Sequence, residues 1–142
     1  MRLLVVSNRL PITVVKQDGK LAFQESVGGL VSGLSAYLDS LKSSSFIESD
    51  YLWVGWPGTA VDERAKAEVR KTIRRDFHSH PVFLSERSMD RFYYGFCNKT
   101  IWPLFHYFPA YTAYDSDFWH HYKQVNETFR DAVLEVLQPD DV

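Results

Sequence analysis

Residues 2–11 read Arg2-Leu3-Leu4-Val5-Val6-Ser7-Asn8-Arg9-Leu10-Pro11. The apolar run up to Val6 is continuous rather than alternating, and it breaks into polar Ser7-Asn8-Arg9. Such a run predicts a short strand buried on both faces, as in a parallel sheet. Working outward, Ile12–Val15 and Leu21–Phe23 flank Gln17-Asp18-Gly19-Lys20. Asp-Gly between β-prone runs predicts a hairpin, a small excursion from the main sheet. Gly28-Gly29 opens a stretch with Leu30, Leu34, Tyr37, Leu38 and Leu41 at helical spacing, and Ser43-Ser44-Ser45 ends it. Tyr51–Val54 reads as a second strand, closed by Gly55-Trp56-Pro57-Gly58. Asp62–Arg75 reads as a surface helix, Pro81–Leu84 as a third strand, and Ser85–Phe96 as a helix capped by Ser85 or Ser88. Ser116–Leu137 is the longest helical pattern, and Pro139 ends it. Strands alternating with helices predict an α/β fold with a mostly parallel sheet and flanking helices.

No repeat and no low-complexity linker interrupts the pattern, so a single domain over residues 1–142 is expected. The alternation calls for another strand after Leu137, and Asp140-Asp141-Val142 reads as its approach. The chain is therefore expected to be an incomplete part of a longer architecture.

Composition narrows the function classes. The 142 residues are 45% hydrophobic and 24% charged, enough for a buried core without staples. One cysteine, Cys97, excludes an internal disulfide and a Cys-rich metal site. A net charge of −2 argues against a nucleic-acid footprint. No apolar run approaches the roughly 20 residues of a membrane span. The opening segment is too short for a signal peptide, so the cytoplasm is the expected compartment. Aromatics make up 15% of the chain, and 13 of the 22 lie between Phe92 and Tyr122. Most are expected in the core, and a patch between copies in a homo-oligomer is another use for the surplus.

Several residues are candidates for binding chemistry. Arg9 is expected just past the carboxyl end of the first strand, where open α/β sheets bind ligands. A guanidinium there suits a phosphate or carboxylate, and a surface ion pair is the plain alternative. Gly28-Gly29 before a helix lets backbone approach an anion, or is simply a flexible helix entry. Trp53 reads as core, while Trp56 is either a loop lid or a sugar platform. Tyr93 and Trp102 carry an O–H and an N–H suited to phosphate or sugar oxygens, whereas Phe92, Tyr94, Phe96 and Phe105 read as core. The five histidines lack metal-ligand spacing. No catalytic triad, P-loop, GxGxxG or paired carboxylate is present, so this chain offers binding groups and no catalytic set.

Five blocks occur in order: VVSNRLP, SVGGLVSGL, WVGWPG, YYGFCNKTIWPLFHY and WHHYKQVNETFRDAV. Together they resemble the amino-terminal portion of the trehalose-6-phosphate synthase family, retaining glucosyltransferases whose two Rossmann-like domains face a cleft in the GT-B architecture. The resemblance implies that residues 1–142 are the acceptor-side part of the N-terminal half. It implies transfer of glucose from UDP-glucose, or another nucleotide-glucose, to glucose 6-phosphate, giving trehalose 6-phosphate. Arg9 matches the family's acceptor-phosphate arginine, and Tyr93 and Trp102 match the residues that accompany it. Gly29 matches the backbone position that approaches the donor. The family implies no metal and no cofactor besides the nucleotide-sugar cosubstrate.

The family's next block, a His-Asp-Tyr-His-Leu motif, and its donor-binding domain lie outside this sequence. Arg130 stands where a small residue is usual. Retention without a protein nucleophile implies front-face attack, with the leaving diphosphate accepting the acceptor's proton. Positioning is then the protein's contribution, worth roughly 7–11 kcal/mol. This chain alone is expected to be inactive. Two alternatives stand beside that reading: a non-catalytic sugar-phosphate-binding or regulatory module, and a related synthase with another phosphorylated acceptor.

Overall fold

A computed structural model describes residues 2–17, 20–26, 31–34, 36–37, 40 and 50–142. The predicted turn at Asp18-Gly19, the Gly28-Gly29 pair and Ser43–Ser45 lie outside the described residues. The chain divides into two compact units without a linker, one comprising residues 1–83 and 132–142, the other 84–131.

The first unit is built on a three-stranded parallel sheet. Strand β1 (Arg2–Arg9) pairs with β4 (Asp50–Trp56), and β4 pairs with β5 (Ser79–Pro81). Strands β2 (Ile12–Gln17) and β3 (Lys20–Glu25) form the expected separate antiparallel hairpin, with Gln17 opposite Lys20. Helix α1 (Glu63–Phe77) follows β4 and turns Val69 and Ile73 into the core. That core joins Leu10, Ile12, Val14, Trp53, Val69 and Ile73, with partly buried Leu3, Val5 and Phe23 packed around it. Full burial of an aliphatic side chain of this size contributes about 1.5–3 kcal/mol.

Strand β5 does not lie over Pro81–Leu84 as the apolar run suggests. His78 closes α1 in the left-handed region at φ 47°, and its carbonyl accepts from the Trp53 N–H at 3.1 Å. The strand therefore starts as soon as the helix ends, at Ser79. Val82 still donates to the Gly55 carbonyl at 2.8 Å, and Leu84 is buried outside any strand.

The other edge of β1 is also occupied. Arg2 pairs in parallel with Asp141, the Leu4 N–H donates to the Val142 carbonyl at 2.8 Å, and the Val142 N–H donates to Arg2 at 3.0 Å. The expected approach of a further strand is thus seen as far as Val142. Its seat is a two-pronged ion pair: Arg2 Nε and Nη2 donate to the Asp141 carboxylate at 2.9 and 2.7 Å. That bond holds the Asp141 carboxyl below the usual carboxylate range.

The second unit is helical. Ser85 caps α2 (Glu86–Met89), its Oγ accepting from the Ser88 N–H at 3.0 Å. The helix then widens to π winding over Asp90–Ile101 before a short α3 (Trp102–Phe105) and a 3₁₀ turn at Pro109–Tyr111. Helix α4 spans Ser116–Val136, and its residues up to Asp131 belong to this unit. Gly95 makes the widened helix packable, because a Cβ there would lie 2.7 Å from the Phe118 ring. The aromatics expected in the core do not all reach it. Phe92 is buried and Phe96 half-buried, but Tyr94 is 54% exposed. Phe105, expected in the core, ends a one-turn helix and is 72% exposed.

Candidate functional site

The carboxyl ends of the parallel strands carry Arg9, Trp56 and Pro81. Arg9 is opposite Trp56 in the β1–β4 register, and the register shifts between Val6 and Arg9. Gly55 permits that irregularity. A Cβ at Gly55 would lie 2.8 Å from the Ser7 carbonyl oxygen and 3.0 Å from the Leu10 nitrogen. The bulge is pinned on both sides. Trp53 Nε1 donates to Ser7 Oγ at 2.7 Å, and Ser7 donates in turn to the Arg9 carbonyl at 2.6 Å. The Leu10 N–H then donates to the Trp56 carbonyl at 2.9 Å. Trp53 is thus core, as expected, but its indole also holds the site's backbone.

The Arg9 side chain is exposed and supported from three directions. Its Nη2 donates to Thr13 Oγ1 at 3.0 Å. Its guanidinium carbon lies 5.7 Å from the Trp56 ring centroid, a cation–π approach. Gly58, at φ +85°, leaves room beneath, since a Cβ there would sit 3.1 Å from Nη2 and 2.6 Å from the Thr13 methyl. Arg2, Arg75, Arg91 and Arg130 each pair with an aspartate. Arg9 has no carboxylate partner among the described residues, so the surface ion-pair alternative is not realised there.

Two buried polar atoms at the same edge lack a partner: Asn8 Oδ1 and Trp56 Nε1. An unsatisfied buried group costs about 1–3 kcal/mol, so both atoms keep bonding capacity at this edge. Trp56 is therefore a buried platform under Arg9 with a free donor rather than a solvent-exposed lid. A nearby cavity of about 320 Å³ is lined by Pro11, Ser26, Phe77 and His78, but also by the Glu25 and Asp76 carboxylates. Two carboxylates make it a poor seat for a phosphate.

Tyr93 and Trp102 belong to the second unit. Tyr93 is half-buried and packs edge-on to Tyr94 at 5.3 Å. Trp102 is 52% exposed and stacks on His106 at 4.1 Å, and His106 Nδ1 lies 2.8 Å from the Trp102 carbonyl. Gly29 lies outside the described residues. Among the described residues no cluster of His, Cys, Asp or Glu could hold a metal ion. Nor is any helix among them long and apolar enough to cross a membrane. Asn8 and Gly58 lie within motifs that sequence reasoning singled out, but it gave Thr13 no role at this edge. The signal for Thr13 was present: buried Ile12 and Val14 put it on the opposite face of β2.

Fold and edge together define a Rossmann-like α/β protein with an arginine, unpaired with any described carboxylate, at the carboxyl edge of its sheet, part of the N-terminal half of a GT-B architecture. The chain belongs to glycosyltransferase family 20, whose family model matches residues 1–142. It is 40% identical over 142 residues to a UDP-forming α,α-trehalose-phosphate synthase of Dictyostelium discoideum, covering 99% of this chain and 18% of the relative. A UDP-forming α,α-trehalose-phosphate synthase from Burkholderia xenovorans in complex with glucose-6-phosphate superposes with a TM-score of 0.65 at 28% identity, over 100% of this chain and 27% of that one. An E. coli structure bound with UDP-2-fluoro glucose gives a TM-score of 0.65 at 28% identity, over 99% and 26%. The chain therefore spans between just under a fifth and just over a quarter of the length of these relatives.

Proposed function

We propose that residues 1–142 form the acceptor side of a retaining glucosyltransferase. In this reading glucose passes from UDP-glucose, or another nucleotide-glucose, to glucose 6-phosphate, giving trehalose 6-phosphate. The observation that carries it is Arg9: a guanidinium at the carboxyl edge of a parallel sheet, supported by Thr13 and Trp56 and unpaired with any described carboxylate. A dianionic phosphate is the ligand such a fork fits best. The Trp56 N–H adds a donor at the same edge, and Asn8 an amide. Tyr93 and Trp102 supply an O–H and an N–H for the acceptor, and the Gly29 backbone approaches the donor. Relatives in complex with glucose-6-phosphate and UDP-2-fluoro glucose support both ligand classes.

No side chain here acts as nucleophile or general base. The bond from the anomeric carbon to the diphosphate breaks as the acceptor oxygen attacks from the same face. The departing diphosphate takes the acceptor's proton. Positioning and charge stabilisation are what this edge contributes, and no cofactor is needed beyond the nucleotide-sugar. Sequence outside residues 1–142 supplies the donor side, in keeping with the greater length of the relatives.

The test uses the chain at its natural length. Product analysis with UDP-glucose and glucose 6-phosphate is expected to give trehalose 6-phosphate. Arg9→Ala is expected to weaken glucose 6-phosphate binding by about 1.5–3 kcal/mol, the range for bonds to charged groups. Turnover with another phosphorylated acceptor only would move the assignment to a different synthase. Binding without turnover would favour a sugar-phosphate-binding module, and equal affinity of Arg9→Ala and parent would remove Arg9 from the phosphate site.

A further inference from the structure

We propose that Thr13, backed by Ser26, is the positioning residue that aims the Arg9 guanidinium at the acceptor phosphate. The proposal rests on the reading of Arg9 as the phosphate-binding residue. Its basis is a continuous polar chain: Arg9 Nη2 donates to Thr13 Oγ1 at 3.0 Å, and Thr13 Oγ1 lies 2.9 Å from Ser26 Oγ. Neither hydroxyl touches the edge by accident. The chain bends at Pro11 between β1 and β2, and the Thr13 hydroxyl lies beside the Arg9 head. Ser26 is fixed from the other side, because its N–H donates to the Pro11 carbonyl at 2.7 Å.

The direction of the chain follows from donor arithmetic. A hydroxyl has one proton and two acceptor sites. Thr13 Oγ1 accepts from the cation, so its own proton is polarised and best spent on Ser26 Oγ. That choice makes Thr13 a better acceptor for Arg9, and it leaves the remaining guanidinium N–H groups for a ligand. Gly58 confirms how closely the parts fit, since a Cβ there would meet both the Thr13 methyl and Arg9 Nη2. An arginine held by one bond and one ring face loses less freedom on binding than an arginine free to sample its rotamers.

Calorimetry of glucose 6-phosphate binding, on the chain at its natural length, tests this. Thr13→Val keeps the shape and removes the oxygen, and is expected to weaken binding about 3- to 10-fold. Thr13→Ser restores the hydroxyl and is expected to bind within about 2-fold of the parent. Ser26→Ala is expected to act in the same direction with a smaller loss, and serves if Thr13→Val fails to fold. The discriminating variant is Arg9→Ala combined with Thr13→Val. A residue that works only through Arg9 adds nothing once Arg9 is gone, so the double variant should match Arg9→Ala. If Arg9→Ala weakens binding but Thr13→Val and Ser26→Ala do not, the positioning role is overturned. It is also overturned if the two losses multiply in the double variant. If Arg9→Ala itself binds like the parent, the phosphate reading falls and the proposal falls with it.

Discussion

Arg9 and Trp102 present their polar groups by different means. The Arg9 head is held by Thr13 on β2, by the Trp56 ring on β4 and by the space that Gly58 leaves. Its backbone is tied through Ser7 to the buried Trp53. Trp102, in contrast, is held by its own turn. Its ring lies flat on His106 four residues along, and the neighbouring Phe105, Tyr107, Phe108 and Tyr111 are all exposed. Partners drawn from several elements fix a group before the ligand arrives, which is what preorganisation means energetically. A group held within one turn is adjustable, and a change there stays local. The strand edge should therefore be intolerant of small changes, and the aromatic segment tolerant of larger ones.

Glycine substitutions give the largest expected contrast. At Gly55 a Cβ would strike the Ser7 carbonyl at 2.8 Å and the backbone of Arg9 and Leu10 at 3.0 Å. Backbone cannot step aside without breaking the bulge, so Gly55→Ala is expected to destabilise by about 3 kcal/mol or more and to abolish Arg9-dependent binding. At Gly95 the obstacle is the Phe118 side chain, at 2.7 Å. A ring can shift, so Gly95→Ala is expected to cost about 1–2 kcal/mol, with part of the loss recovered by Phe118→Leu. Denaturant unfolding measures both. Equal losses, or a larger one at Gly95, would break the contrast between a rigid edge and a yielding helical unit.

What could be read from the sequence follows the same divide. The continuous apolar run Leu3–Val6 and the Asp-Gly signal gave β1 and the β2–β3 hairpin because period and turn chemistry are local properties. Arg9 was legible as a candidate binding group because its place at the end of an apolar run is also local. Its support was not, because Trp56 and Gly58 meet Arg9 only once β1 has paired with the distant β4, and Thr13 only once the hairpin strand β2 packs beside that edge. The aromatic segment misled for a different reason. Tyr94 reads as core with its aromatic neighbours, but two residues beyond buried Phe92 it falls on the other side of the helix and is 54% exposed. Phe105 failed because the one-turn helix it ends buries Pro103 instead. The start of β5 was displaced by His78, whose left-handed φ no composition rule assigns to a histidine.

The two tryptophans of the comparison sharpen it at a smaller scale. Trp53 is fully buried and its N–H is spent on Ser7, so Trp53→Phe removes a bond and leaves a void. A stability loss of about 2–3 kcal/mol is expected, together with weaker phosphate binding through the loosened bulge. Trp102→Phe keeps a stacking face over His106 and removes an exposed N–H. Its stability should stay within about 0.5 kcal/mol of the parent. Its effect is expected in acceptor affinity alone, about 1 kcal/mol. Thermal melting beside calorimetric titration separates the two signatures. A large melting shift for Trp102→Phe would show that the aromatic segment is as constrained as the strand edge.

The smallest expected effect is a pH dependence confined to the first unit. His80 on β5 is buried, and neither ring nitrogen has a hydrogen-bond partner. Burial pushes its pKa below the ordinary 6.5, Arg70 and Arg74 on α1 push the same way, and Glu135 on α4, 3.6 Å from Nε2, opposes them. The unfolded chain therefore takes up a proton near pH 6.5 while the folded protein resists it. In that window the unfolded state binds more protons, so stability rises with pH. It is complete above about pH 7 and declines as pH falls through 6.5 toward the lower folded value. Replacing Glu135 by Gln removes the one group that favours the charged ring, and the decline should steepen. Replacing His80 by Phe should remove this component. Hydrogen exchange read by unit between pH 5.5 and 7.5 is the appropriate measurement, because the loss of protection should fall on residues paired with β5 and α1. An unchanged decline in His80→Phe would assign the pH response elsewhere, and with it the claim that the strand unit is the more finely balanced of the two.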